Sequence, residues 1–173
     1  GTTAEGLAQL KPAFRPDGQI TAGNACPLND GAAAVMVMSE AKAKQLGLTP
    51  LARIISSGVS GLNPEIMGLG PIEASRQALK RAGMTMDQID LVEINEAFAA
   101  QVVPSAKHLG IPMDKLNVHG GAIALGHPIG MSGNRLALSL ALELRRRGGG
   151  IGAAALCGGG GQGDALLVEV PAA

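Results

Sequence analysis

The pattern of apolar and polar positions divides the chain into alternating strand-like and helix-like segments. Ala32 to Met38 is apolar throughout and predicts a buried strand. Ser39 follows as an N-cap, and the helix it opens runs to about Leu46, where Gly47 ends it. Leu51 to Val59 predicts the next strand, with Ile54 and Ile55 inside it. Gly58 to Gly70 is a glycine-punctuated loop that holds Asn63-Pro64 and Met67. Pro71 opens a helix with Glu73 in its first turn, and Gly83 stops it. Ile72, Leu79 and Ala82 share that helix's buried side.

Asp90 to Asn95 predicts a strand leading directly into a helix from Glu96. Phe98, Val102, Ala106 and Leu109 keep helical spacing, Gly110 ends the element, and Pro104 predicts a kink or an early break. Leu116 to Val118 reads as a short strand. The leucines at 136, 138, 140, 142 and 144 imitate strand alternation, but the length, the alanines and Glu143 before three arginines favour a helix. Ile151 to Leu156 and Ala165 to Val170 are strands. Cys157 to Asp164 joins them as a glycine-rich turn with no room for a helix, so the pair is antiparallel. Residues 1–23 carry little periodicity and predict a short helix or loop followed by turns, and 24–31 are also turn-rich. Strands alternating with helices give an α/β layered fold, a mixed sheet covered by helices.

Composition changes this picture in one respect. Apolar residues make up 46% of the 173, yet there is no Trp or Tyr, and the only aromatic rings besides histidine are Phe14 and Phe98. The core is therefore built from small and branched side chains in closely approaching layers. Net charge is zero and no aromatic platform exists, which argues against nucleic-acid binding. Arg145-Arg146-Arg147 precede a glycine run and read as a helix terminus first and a phosphate contact second. No apolar run is long enough to span a membrane. Two cysteines, Cys26 and Cys157, form no CxxC, and with His119 and His127 they match no common zinc spacing, so no metal is expected.

Candidate chemistry centres on Gly120 to Arg135, where five glycines surround His127-Pro128. A tight loop entering a helix gathers unsatisfied N–H groups and favours negative charge, so a histidine there suits an anionic intermediate. On this stretch alone it serves equally as a satisfied polar residue among glycines that permit close packing. Cys157 stands at the end of a predicted buried strand beside Gly158-Gly159-Gly160, either as an inert small hydrophobe or as an acid, base or nucleophile near exposed backbone N–H groups. Asn95 sits on a strand-to-helix step, either as a plain N-cap or as an amide that orients a water or carbonyl. Gly158, Gly160 and Gly163 satisfy G-x-G-x-x-G, but a strand follows rather than a helix, so the dinucleotide reading fails. Together, Asn95, His127 and Cys157 lie at strand ends or glycine loops that an α/β fold can bring to one crevice.

Asn95-Glu96-Ala97-Phe98, Gly126-His127-Pro128 and Cys157-Gly158-Gly159-Gly160 resemble the three C-terminal catalytic blocks of the thiolases, the acetyl-CoA acetyltransferase family. Residues 21–34 resemble that family's stretch along the pantetheine tunnel, and Gly68-Leu69-Gly70-Pro71 fits as well. The resemblance covers nearly the whole chain. It implies reversible Claisen condensation and thiolysis of 3-ketoacyl-CoA, with coenzyme A as co-substrate, no bound cofactor and no metal. His127 would donate to an enolate oxygen, Asn95 would hold the water that donates beside it, Cys157 would move the α-carbon proton, and the Gly159 N–H would form part of a second oxyanion hole. Ala25, Cys26, Leu28, Met67, Ala97 and Phe98 match positions lining the acyl-pantetheine path. Cys26 departs from the serine common there and is the weaker hydrogen-bond partner.

Neither cysteine matches the family's nucleophile block, which belongs to an N-terminal half. The resemblance thus implies a C-terminal thiolase portion. Residues 1–48 would be the end of the loop domain with the last strand and helix of the first half, and 49–173 the C-terminal domain. Expected partners are CoA thioesters, an N-terminal thiolase half in the same or a separate chain, and further copies in a homodimer or homotetramer, with no nucleic acid and no membrane. A bacterial enzyme of this kind is expected in the cytoplasm, an organelle matrix being the alternative. A non-catalytic thiolase-like lipid carrier and a ketosynthase-like condensing enzyme are the competing readings. The joint presence of Asn95, His127 and Cys157 argues against the first, and a cysteine rather than a second histidine at 157 against the other.

Overall fold

The computed structural model describes residues 1–172. Two short helices, α1 (Ala4–Ala8) and α2 (Glu40–Gln45), precede a four-stranded sheet and its covering helices. The strands are β1 (Arg53–Gly61), β2 (Leu91–Ile94), β3 (Gly150–Gly158) and β4 (Gln162–Val170), in the order β1-β4-β3-β2. β4 runs antiparallel to both β1 and β3, while β3 and β2 are parallel, so the sheet is mixed. The helices are α3 (Gly70–Ala82), α4 (Ala99–Leu109), α5 (Ala122–Leu125) and α6 (Ile129–Arg146).

Strand alternation divides the core into two layers. Val92, Ile94, Ala153, Ala155, Ala165 and Leu167 pack with residues of α3 and α4 on one face. Leu91, Ala154, Val168 and Val170 pack with Leu136, Leu140, Ala141 and Leu144 of α6 on the other. The alanines of β3 let α3 and α6 approach the sheet closely, as the scarcity of aromatic rings requires.

α3 and α4 end where glycine takes the left-handed conformation, at Gly83 (φ 66°) and Gly110 (φ 69°). α6 runs the full length that the leucine series allows. Its terminal Arg146 and Arg147 reach back to Glu143 at 2.6 and 2.8 Å, which confirms the helix-terminus reading of the arginine run. β3 and β4 are longer at their facing ends than expected. Cys157 pairs with Gly163 and Gly158 with Gln162, leaving only residues 159–161 as the turn. Cys157 therefore lies inside β3 rather than beyond it.

Four expectations need correction. Residues 32–38 form no strand; among the described residues they pair with none, and Met36 and Val37 are 84% and 68% exposed. An apolar run becomes a strand only where a neighbouring edge accepts it. The helix expected from Glu96 starts three residues later. The backbone there is claimed by a bridge between Ala25 and Phe98 and by Cys26 N donating to Ala97 O at 3.1 Å, so Phe98 stays extended as the N-cap. Pro104 lies within α4 without breaking it. The carbonyl it leaves unpaired, that of Ala100, belongs to an exposed residue that water can reach. Residues 116–118 contribute a single parallel bridge, Leu116 to Val92, instead of a strand.

Candidate active site

Asn95 follows directly on β2, with its backbone N–H donating to Ala155 O of β3 at 2.9 Å. It is fully buried and does not cap α4; that position belongs to Phe98. Its amide Nδ2 instead lies 3.3 Å from His127 Nε2. The capping explanation of Asn95 is thereby removed, and its side chain is committed to the histidine.

His127 is placed by the glycines around it. Gly126 has φ 96°, and a Cβ there would sit 2.3 Å from the Asn29 side chain, so only glycine lets 126–128 lie against the 27–31 segment. The His127 N–H donates to Pro27 O at 3.2 Å. Pro128 then caps α6, one position earlier than the first-turn place that proline favours. One helical turn on, the buried Ser132 hydroxyl meets His127 Nδ1 at 2.6 Å and donates to Pro128 O at 3.0 Å. With its one hydrogen committed to Pro128, Ser132 accepts from Nδ1–H, which assigns the lone pair to Nε2, facing the Asn95 amide. Burial, and then the Arg135 guanidinium, push the His127 pKa below the usual histidine value, so the ring is neutral at pH 7.

The loop that carries the histidine is fastened to β2 by two further side chains. Asn117, with φ 45°, uses Oδ1 to accept from Ile94 N at 2.8 Å and Nδ2 to donate to Ile94 O at 2.9 Å, continuing the sheet edge with an amide. Its Nδ2 also reaches Glu96 Oε1 at 2.9 Å, while Glu96 Oε2 accepts from Ile123 N at 3.1 Å. Gly121 is required beneath this carboxylate, since a Cβ would fall 2.2 Å from its carbon.

Cys157 is half-buried at the end of β3 and makes no hydrogen bond to His127. Burial raises its pKa, a backbone hydrogen bond partly offsets this, and Cys26 adds a like-charge neighbour. Burial likewise raises Cys26. Both are thiols at pH 7, so the glycine N–H groups do not produce a standing thiolate. Cys157 suits proton donation.

The expected lining residues divide into two groups. Ala25, Cys26, Ala97 and Phe98 are joined by the bridge described above. Phe98 meets Phe14 edge to face at 6.1 Å, and the two rings, with Ile20, line a recess of about 290 Å³. Leu28 is 87% exposed, Met67 lies in the 3-10 helix Pro64–Leu69, and Gly159 in the β3–β4 turn; no hydrogen bond ties any of these to His127. Gly159 O accepts from Gln162 Nε2 at 3.3 Å, and a Cβ at 159 would meet nothing within 4 Å.

Sequence reasoning missed Glu93, Ser132, Arg135, Asn117 and the anchoring role of Glu96. One signal was present: Glu93 is a charged residue inside the apolar strand Leu91-Val92-Glu93-Ile94. Among the described residues no cluster of His, Cys, Asp and Glu could hold a metal ion, and no helix is long and apolar enough to cross a membrane.

Similarity to known proteins identifies the family. Residues 48–170 match the family model of the thiolase C-terminal domain, and residues 1–41 that of the thiolase N-terminal domain. The chain is 59% identical over 169 residues to an acetyl-CoA acetyltransferase of Chromobacterium violaceum, covering 98% of this chain and 43% of that protein. It is 55% identical over 172 residues to a 3-ketoacyl-CoA thiolase of Cronobacter sakazakii, covering 97% of this chain and 44% of the relative. The Bacillus anthracis acetyl-CoA acetyltransferase structure superposes with a TM-score of 0.95 at 54% identity, over 97% of this chain and 43% of that one. Human mitochondrial 3-ketoacyl-CoA thiolase in complex with CoA gives a TM-score of 0.96 at 50% identity, over 99% and 43%. The chain thus spans under half the length of these relatives, and it belongs to the thiolase family.

Proposed function

We propose that this chain is the C-terminal part of a thiolase that interconverts 3-ketoacyl-CoA plus CoA with acyl-CoA plus acetyl-CoA. The observation that carries the reading is the buried Asn95 amide set 3.3 Å from His127 Nε2, with Ser132 holding the other ring nitrogen at 2.6 Å. Residues 1–48 complete the first half of the enzyme, and 49–173 form the C-terminal domain. An N-terminal thiolase half, in the same polypeptide or another, supplies the nucleophilic cysteine.

In thiolysis that cysteine attacks the 3-keto carbon, its proton passing to His127 Nε2, which presents a lone pair. The resulting N–H can then donate to oxygen that gains negative charge. Breaking the C2–C3 bond leaves the electron pair on the enolate of acetyl-CoA, and the Cys157 thiol returns a proton to C2. CoA thiol then takes the acyl group and frees the nucleophile. Condensation is the reverse, with the Cys157 thiolate removing the α-proton. A water held by Asn95 and the backbone N–H of Gly159 complete the sets of donors. Ala25, Cys26, Leu28, Met67, Ala97 and Phe98 line the acyl-pantetheine path, which the Phe14–Phe98 recess extends. The assembled enzyme is a homodimer or homotetramer, on the warrant of family membership, and works in the cytoplasm of a bacterium or in an organelle matrix.

The test is His127→Ala in the assembled enzyme, assayed with acetoacetyl-CoA and CoA. Loss of a donor that acts on transition-state charge lowers kcat by roughly a hundred- to a thousandfold. A change confined to KM would contradict the assignment.

A further inference from the structure

Asn95 and Glu96 are adjacent, and they take hold of His127 from two directions. Asn95 Nδ2 meets the ring at Nε2. Glu96 takes the chain that leads to the ring. Its Oε2 accepts from Ile123 N at 3.1 Å, and its Oε1 accepts from Asn117 Nδ2 at 2.9 Å. Ile123 lies in α5, four positions before the histidine. Glu96 itself takes no part in the proton and electron movements above.

Little else fixes α5. Four residues are too few to hold a helix by themselves. Ala122 is the one buried residue of the element, and Gly121, its N-cap, has no side chain to offer. The N–H groups of Ala124, Leu125 and Gly126 bond locally, to Gly121 O and Ala122 O. Among the described residues, the bond from Ile123 N to Glu96 is the only hydrogen bond that ties α5 to another element.

The contact also selects for a carboxylate. Asn117 uses Oδ1 on Ile94 N and Nδ2 on Ile94 O, so its amide cannot turn over without losing both bonds. Its remaining Nδ2 hydrogen and the Ile123 N–H are two donors aimed at one side chain. A carboxylate accepts at both oxygens, whereas an amide of the same shape turns an NH2 group toward one of the donors. Gly121 lies flat against the carboxylate, where a Cβ would collide with it.

We propose that Glu96 is a positioning residue for the thiolase reaction: by holding α5 it fixes, through Gly126, the place of the His127 ring against Asn95 Nδ2 and the reacting oxygen. This rests on the catalytic reading of His127. A donor that acts on transition-state charge works only within narrow geometry, and a misplacement of about 1 Å costs on the order of a hundredfold in rate.

The experiment is a double-variant cycle in the assembled enzyme, assayed with acetoacetyl-CoA and CoA. Glu96→Gln keeps the size of the side chain and lowers kcat roughly ten- to a hundredfold, with KM for CoA little changed. In the His127→Ala background the same substitution costs almost nothing further, because the group it positions is already gone. Gly121→Ala drives a Cβ into the carboxylate while leaving Glu96 in place, and it reproduces both results. If Glu96→Gln does not fold, Gly121→Ala with and without His127→Ala decides. Losses that multiply in the double variant would reveal a merely structural role and overturn the inference, as would full turnover by folded Glu96→Gln. A fully active His127→Ala ends this inference and the functional reading together. An inactive His127→Ala beside a fully active Glu96→Gln ends this one alone.

Discussion

At the scale of single residues the two cysteines separate. Cys157 occupies the penultimate position of β3, and burial holds it as a thiol. Cys26 lies in the 24–26 segment that pairs with 97–99, a wall of the expected path. Cys157→Ala in the assembled enzyme lowers the rate roughly a hundred- to ten-thousandfold, the range for a positioned general acid–base. Cys26→Ser keeps most activity and can tighten CoA binding through its hydroxyl. Acetoacetyl-CoA kinetics on both variants checks this, and a dead Cys26→Ser beside a near-normal Cys157→Ala would refute it. His127 stood out in the sequence because its glycine and proline neighbours mark backbone that must turn sharply, Cys157 because a glycine run follows it, and Asn95 because it stands on a strand-to-helix step. Ser132, Arg135 and Asn117 did not. Each acts on a residue distant in sequence or on the other side of a loop, and nothing local distinguishes a serine that holds a histidine from one that faces solvent.

At the scale of elements, legibility followed the source of the stabilising energy. α3, α6 and β3 carry their own periodicity and stop signals, so they stand close to where the sequence places them. Residues 32–38 and the start of α4 depend on what pairs with them, and there the pattern misled. The end of α6 permits a sharper statement. Hydrogen bonding from Arg147, then His119, with the charge of Arg146, holds the Glu143 carboxyl down at about 2. A folded pKa below the unfolded value gives stability that is present above the ordinary glutamate range and lost as pH falls toward 2. Glu93 has the opposite sign. Its folded pKa of about 7 lies above the ordinary glutamate value of 4.5, so its contribution favours the fold below that window and is lost as pH rises through it. Denaturation of the assembled enzyme between pH 4.5 and 7 therefore shows a smaller fall in stability with pH for Glu93→Gln than for the parent protein. An unchanged slope would show that the carboxyl is not proton-bound in the fold.

At the scale of the whole molecule, the proposed base His127, amide Asn95 and proton-moving thiol Cys157 lie on one layered α/β unit, while the proposal assigns the nucleophile to another half. Exposed apolar side chains at Leu28, Val35, Met36, Val37 and Ile129 lie on 28–37 and at the start of α6. The same division of labour gives the most direct test. Cleavage of acetoacetyl-CoA by CoA is measured for the purified 173-residue chain alone, for an N-terminal thiolase half alone, and for the two assembled. The account predicts turnover only from the assembly, and its loss when His127 is replaced by alanine in this chain. Turnover by the isolated chain, or assembled activity indifferent to His127, would contradict it.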